Sequence, residues 1–291
     1  MSSYRSVRKI LYGQPFDMGG MPIRQPFPAH GVEQIDPFLL LHHARLELAP
    51  GKNMLHEGVG PHPHRGFSPV TFLFEGGIHH RDSNGNSQVV YAEGVQWMNA
   101  GSGLVHSERP PAEWDKKGGT QELIQLWINT PARHKMDAPT YEPISAESMP
   151  LITSDDGLTQ IRLVSGEMKD KRGPVEPLFP ITSCMVRMQA GAHYFFPLPK
   201  QQEALIYLLD GELRSICSPE VPLPQHHAVW FNQEGSGIEI SAVKQTRLLL
   251  VAGEPLQEPI AARGPFVMNT KEELLQAFSD YQQGKLGELI E

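Results

Sequence analysis

The chain predicts an all-β protein built from two similar domains, and three observations carry that reading. Its 27 Gly and 26 Pro are spread along the whole length and cut the sequence into short apolar runs. Helical periodicity is scarce until the last thirty or so residues. A diverged internal repeat relates the two halves. Short Val-, Ile-, Leu- and Phe-rich runs between turn residues are the pattern of sandwich or barrel strands.

The runs Pro69–Phe74, Leu123–Ile128, Ala204–Leu209 and Arg247–Val251 read as such strands. Asp82-Ser-Asn-Gly85 carries an Asn-Gly pair, which favours a tight hairpin because both central residues tolerate positive φ. At the far end, Thr270-Lys-Glu-Glu273 matches a capping box. Leu274, Leu275, Phe278 and Tyr281 follow at helical spacing and Gly284 is a stop signal, so residues 271–283 read as an amphipathic helix.

The repeat appears as Val70-Thr-Phe-Leu-Phe-Glu-Gly76 against Leu205-Ile-Tyr-Leu-Leu-Asp-Gly211, an offset of 135. Trp97-Met-Asn99 before Gly101-Ser-Gly103 is echoed by Trp230-Phe-Asn232 before Gly235-Ser-Gly237. The division expected is 1–140 and 141–291, with a junction near the Pro-rich stretch from Pro139 to Pro150 and the helix closing the second domain.

With 291 residues and 40% hydrophobic content, two cores are affordable. Twenty-five Lys and Arg against 33 Asp and Glu leave a net charge of −8 and no basic block. Direct nucleic-acid binding is therefore not expected. Neither a secretory leader nor a membrane-spanning run is apparent, and a cytoplasmic, membrane-free setting is expected. Cys184 and Cys217 suit free thiols in that reducing setting, though nothing forbids their pairing.

The chemistry concentrates in Pro61-His-Pro-His-Arg-Gly-Phe67 and His106-Ser-Glu108. Both pairs, His62/His64 and His106/Glu108, have i, i+2 spacing, which on a strand puts both members on one face. Two facing strands would converge three imidazoles and a carboxylate on one point. Imidazole suits Fe, Ni, Cu, Zn and Co, and a carboxylate adds an oxygen ligand suited to Fe and Mn. Four protein ligands leave two octahedral positions open for substrate or dioxygen. In the second half the repeat offset puts Pro197 and Pro199 opposite His62 and His64. The Gly-Ser-Gly turns put Ile240 and Ala242 opposite His106 and Glu108. The four candidates are lost together, as a functional unit would be.

Other histidines read differently. His79-His80 are expected to be loop or edge residues. His42-His43 and His226-His227 are adjacent pairs that would point to opposite faces of a strand. His56 is a candidate support for the site, Arg65 a pocket cap or ion-pair former, and Phe67, Trp97 and Met98 core residues.

His62-Pro-His64-Arg-Gly-Phe67, Glu75-Gly-Gly77, the segment from Gln96 to Glu108, Gly264-Pro-Phe-Val-Met-Asn269-Thr and Asp36-Pro-Phe-Leu-Leu40 together resemble the pirin family. The resemblance implies a bicupin: two cupin-type β-barrels with a metal only in the first. It carries the ligands onto His62, His64, His106 and Glu108, with iron as the expected metal and Ni, Cu, Mn, Co or Zn as alternatives. Some pirins act as quercetin 2,3-dioxygenases, so a flavonol-like aromatic substrate and dioxygen are implied, cleavage releasing carbon monoxide. Glu108 would then be ligand and general base. Other pirins imply a non-enzymatic, iron-dependent redox sensor that acts through protein partners. Where many pirins carry an acidic pair after Asp-Pro-Phe-Leu, this chain has His42-His43.

Overall fold

The structure is a computed structural model and describes residues 4–215 and 218–291. Cys217 lies outside the described residues. Cys184 is buried in an apolar core, and that burial pushes its thiol pKa up.

The chain forms two compact units. One comprises Asp17–Ile23, Phe38–Ala146 and Leu256–Glu291 and carries all four candidate ligands. The other comprises Arg24–Pro37 and Glu147–Pro255, together with the N-terminal segment ending at Phe16. Each unit therefore takes a terminal segment that a simple cut between residues 140 and 141 assigns to the other. The C-terminal helix belongs with the unit that carries the candidate ligands, because Phe266, Ala277 and Leu286 cluster with Val105, on the same strand as His106 and Glu108.

The strands run β1 (Val7–Tyr12), β2 (Gln14–Met18), β3 (Met21–Phe27), β4 (Phe38–Leu48), β5 (Val59–His64), β6 (Phe67–Glu75), β7 (Gly77–Asp82), β8 (Ser87–Tyr91), β9 (Val95–Asn99) and β10 (Leu104–Arg109). A short helix, α1 (Trp114–Lys117), precedes β11 (Gly119–Asn129) and β12 (Thr140–Ile144); α2 (Lys271–Gln282) follows much later. In the ligand-bearing unit one sheet has the order β12-β9-β6-β11-β4-β3-β2 and the other β5-β10-β7-β8. Two antiparallel sheets face to face make a cupin-like barrel.

Sequence explains the local geometry. Asp82 to Asn86 turns β7 into β8, with the Asp82 carboxylate accepting from the backbone N–H of Asn84 and of Asn86. Gly66 has φ +83°, and a Cβ there would stand 2.1 Å from the Val267 carbonyl oxygen, so only glycine fits after His64-Arg65. The capping box forms as expected: Thr270 Oγ1 accepts from the Glu273 N–H, and Glu273 accepts from the Thr270 N–H. Gly284 follows the helix at φ +72°.

The other unit repeats the plan, with a seven-stranded sheet that includes β1 and a four-stranded one. Strand His193–Pro197 pairs with Gly237–Ala242, placing Tyr194 opposite Ile240 and Phe196 opposite Ile238. In the ligand-bearing unit His62 stands opposite His106 and His64 opposite Leu104. The true counterparts of His62 and His64 are thus Tyr194 and Phe196. The sequence offset of 135 misplaced them on Pro197 and Pro199, because three extra residues lengthen the turn before the strand at Glu203. Ile240 and Ala242 remain the counterparts of His106 and Glu108. All four positions are buried in the apolar core, and none carries an imidazole or a carboxylate.

Candidate metal centre

Strand register assembles the site. On β10, His106 lies opposite His62 of β5 and Asp82 of β7, while Glu108 lies opposite Val59 and His80. Directly paired residues share a sheet face, so His62, His106 and Asp82 form one row and Glu108 and His80 the next. The ligand nitrogens of His62, His64 and His106 all lie within 4.8 Å of one another.

The protons on these rings can be assigned from their partners. His62 Nδ1 lies 2.8 Å from the Gly60 carbonyl oxygen and His64 Nδ1 3.4 Å from that of Pro265. Each Nδ1 must donate, so each Nε2 keeps a lone pair. Those two Nε2 atoms face one another at 3.1 Å. Burial, reinforced by the neighbouring imidazoles, holds His64 and His106 well below the usual histidine range. His106 Nε2 is buried without a hydrogen-bond partner. Lone pairs converging in a buried place are stable around a cation, and this donor set fits a divalent transition metal.

Glu108 stands against the same space but is held by other residues. Thr71 Oγ1 donates to its Oε1 at 3.1 Å and Gln125 Nε2 to its Oε2 at 2.7 Å. Trp127 Nε1 donates to Gln125 Oε1, which sets the amide so that its NH2 faces Glu108. The structure brings the three histidines together; Glu108 lines the same cavity but stands outside their cluster, with both oxygens engaged.

A cavity of about 230 Å³ opens onto His62, His64 and Glu108. Met18, Met21, Ile23, Leu123 and Trp127 make its wall mainly apolar, and His42 and Gln121 add polar groups. Burial pushes the His42 pKa down to about 4, so it is a neutral ring at physiological pH. His56 lines an adjoining, more polar hollow with Lys52 and Glu57 and does not line this cavity.

His80 was not anticipated. It is 1% exposed, stacks on Tyr141 with ring centroids 3.8 Å apart, and places Nε2 2.9 Å from Asp82 Oδ2. Its Nδ1 lies 3.4 Å from His106 Nδ1. The expectation of a loop or edge residue fails because β7 is an inner strand, between β10 and β8. The available signal was a third i, i+2 pair, His80 and Asp82. Arg65 is an ion-pair residue: Nη1 donates to Asp280 Oδ2 of α2 at 2.9 Å and Nε to the Ser102 carbonyl oxygen at 2.7 Å.

The pirin family profile matches residues 20–128, and the profile of the pirin C-terminal cupin domain matches 184–287. The chain belongs to the pirin family. A pirin-like protein of Caulobacter vibrioides is 35% identical over 288 residues, covering 97% of this chain and 99% of that one. The crystal structure of a quercetin 2,3-dioxygenase from Acinetobacter baumannii superposes with a TM-score of 0.92 at 30% identity, covering 99% of this chain and all of that one. A bacterial pirin from Escherichia coli, solved in complex with nickel(II), has the same fold at 19% identity, TM-score 0.63, with coverage of 85% and 99%. The bicupin fold of this pirin is thereby established; no helix among the described residues is long and apolar enough to cross a membrane, and three histidines cluster so that they could hold a metal ion.

Proposed function

We propose that this pirin is a metal-dependent dioxygenase of the quercetin 2,3-dioxygenase type, with iron held by His62, His64, His106 and Glu108. The observation that carries the reading is the convergence of three imidazoles, their ligand nitrogens within 4.8 Å of one another, beside an apolar cavity. The likeness to the Acinetobacter enzyme over the whole chain supports it. When bound, the metal supplies Lewis acidity and one-electron redox chemistry.

The protein's own groups do the rest. Met18, Met21, Ile23, Leu123 and Trp127 receive the flat rings of a flavonol and exclude water from the reacting carbons. Glu108, an anionic acceptor at the cavity wall, takes the proton of the flavonol hydroxyl as general base. Thr71 and Gln125 orient that carboxylate, and Trp127 orients Gln125.

The test is anaerobic loading with ferrous ion, then quercetin and dioxygen, followed by flavonol absorbance. Decay that depends on metal and is lost in His106→Ala is the expected result. Metal bound in stoichiometric amount without decay, across Fe, Ni, Cu, Mn and Co, would overturn the enzymatic reading. It would leave the iron-dependent regulator, with its protein partners, as the function to pursue.

A further inference from the structure

We propose that Asp82 and His80 form a tautomer relay that keeps the proton of His106 on Nδ1 and so leaves its Nε2 free to bind the metal. The inference rests on the proposed metal-binding role of His106, and it adds two positioning residues that are not themselves ligands.

The argument follows proton positions from the outside in. The Asp82 carboxylate accepts at every contact. Oδ1 takes the N–H groups of Asn84 and Asn86, and Oδ2 takes Asn86 Nδ2 and faces His80 Nε2 at 2.9 Å. Burial alone would raise this carboxyl, but the hydrogen bonds from His80 and Asn86 outweigh it and hold it below the usual range. A carboxylate cannot donate, so His80 carries its proton on Nε2. In the neutral ring His80 Nδ1 is then an acceptor. The group facing it is His106 Nδ1, at 3.4 Å, which must donate. That leaves His106 Nε2 without a proton, buried and without a hydrogen-bond partner. One carboxylate therefore dictates, through two imidazoles, that the lone pair of His106 points at His62 and His64. Indirect support of a metal-bound histidine by a carboxylate is common chemistry; here a second imidazole lies between them.

The surroundings hold the relay still. His80 is clamped face to face on Tyr141, with the planes 4° apart. Asp82 sits in the β7–β8 turn, whose backbone amides saturate one of its oxygens. The hairpin and the ligand geometry are thus one device.

Asp82→Asn tests it. The remaining carbonyl oxygen stays with the two backbone N–H groups, so the new NH2 faces His80 Nε2 and must donate. His80 then accepts on Nε2 and donates from Nδ1, and His106 must accept on Nδ1 and carry its proton on Nε2. Nitrogen-15 shifts of labelled histidine in metal-free protein should show His106 protonated at Nδ1 in the native chain and at Nε2 in Asp82→Asn. Affinity for Co(II), measured by calorimetry, should fall at least tenfold. His80→Phe, which keeps the stack on Tyr141, should also lower Co(II) affinity about tenfold, and should lower it no further in a His106→Ala background. An unchanged His106 tautomer in Asp82→Asn, or an additive effect of His80→Phe on His106→Ala, would overturn the relay. Failure of the native chain to bind any divalent metal would instead sink the proposed function, while the tautomer measurement would still decide the relay.

Discussion

Replacing Asp280 by Ala removes the anchor between α2 and the residue next to His64. Arg65 is 4% exposed, and among the described residues Asp280 is its one anionic partner. Without it the guanidinium keeps the Ser102 carbonyl on Nε but is left as a buried, uncompensated charge. Breaking a buried pair in this way costs about 3–5 kcal/mol. The lost contact with Lys285, whose side chain is 54% exposed, adds no more than about 1 kcal/mol. A loss of about 4 kcal/mol in a domain of this size lowers Tm by roughly 10 °C. Urea unfolding at pH 7 measures it directly. Hydrogen bonds from Lys285, Arg65 and Gln276 hold the Asp280 carboxyl below the usual range. Its stabilisation is therefore complete above the unfolded pKa of about 4 and is lost as pH falls through the lower folded value. The difference between native and variant should shrink with acid over that range. Asp280→Leu with Arg65→Met, which removes both charges, should recover much of the loss. A loss under about 1 kcal/mol for Asp280→Ala at neutral pH would refute the reasoning.

Four further outcomes are expected. His42, neutral with a pKa of about 4 when folded, lets the unfolded chain bind the extra proton between about pH 6.5 and 4, so stability falls on acidification by up to about 3 kcal/mol; His42→Leu should flatten that limb in acid titrations followed by circular dichroism. Gln125→Leu takes one donor from Glu108 and should lower kcat/KM for quercetin about tenfold at unchanged metal content, which elemental analysis checks. Gly66→Ala forces a Cβ against the Val267 carbonyl and should prevent accumulation of folded protein at 37 °C, read from the soluble yield. Phe196→Ala should cost about 3–5 kcal/mol in chemical unfolding yet leave metal stoichiometry unaltered, because its site is apolar core.

The strands and the histidine trio are legible because their signals are local. His62/His64 and His106/Glu108 announce themselves by spacing alone, and the hairpin at Asn84-Gly85 and the cap at Thr270 by residue type. His80 was obscured by His79: two adjacent histidines look like an edge, and only the register of β7 against β10 shows one of them buried. Thr71 and Gln125 are separated by 54 residues, so nothing in either neighbourhood hints that both hold Glu108. The repeat located the lost ligand positions on β10 correctly but slipped by three residues on β5, since turn length varies more freely than strand pairing. The terminal exchange is invisible to any local pattern, because β1 pairs with residues 227–231.

That exchange dictates an order of events during synthesis. β1 leaves the ribosome first, yet its hydrogen-bonding neighbour emerges only after most of the chain has been made. The barrel with the three-histidine cluster, whose strands are translated early, waits for α2 and the segment around Phe266, which are translated late. A half-length nascent chain has two open seams and no finished domain. Chaperone protection of that interval, and the insolubility of either half expressed alone, follow from the topology.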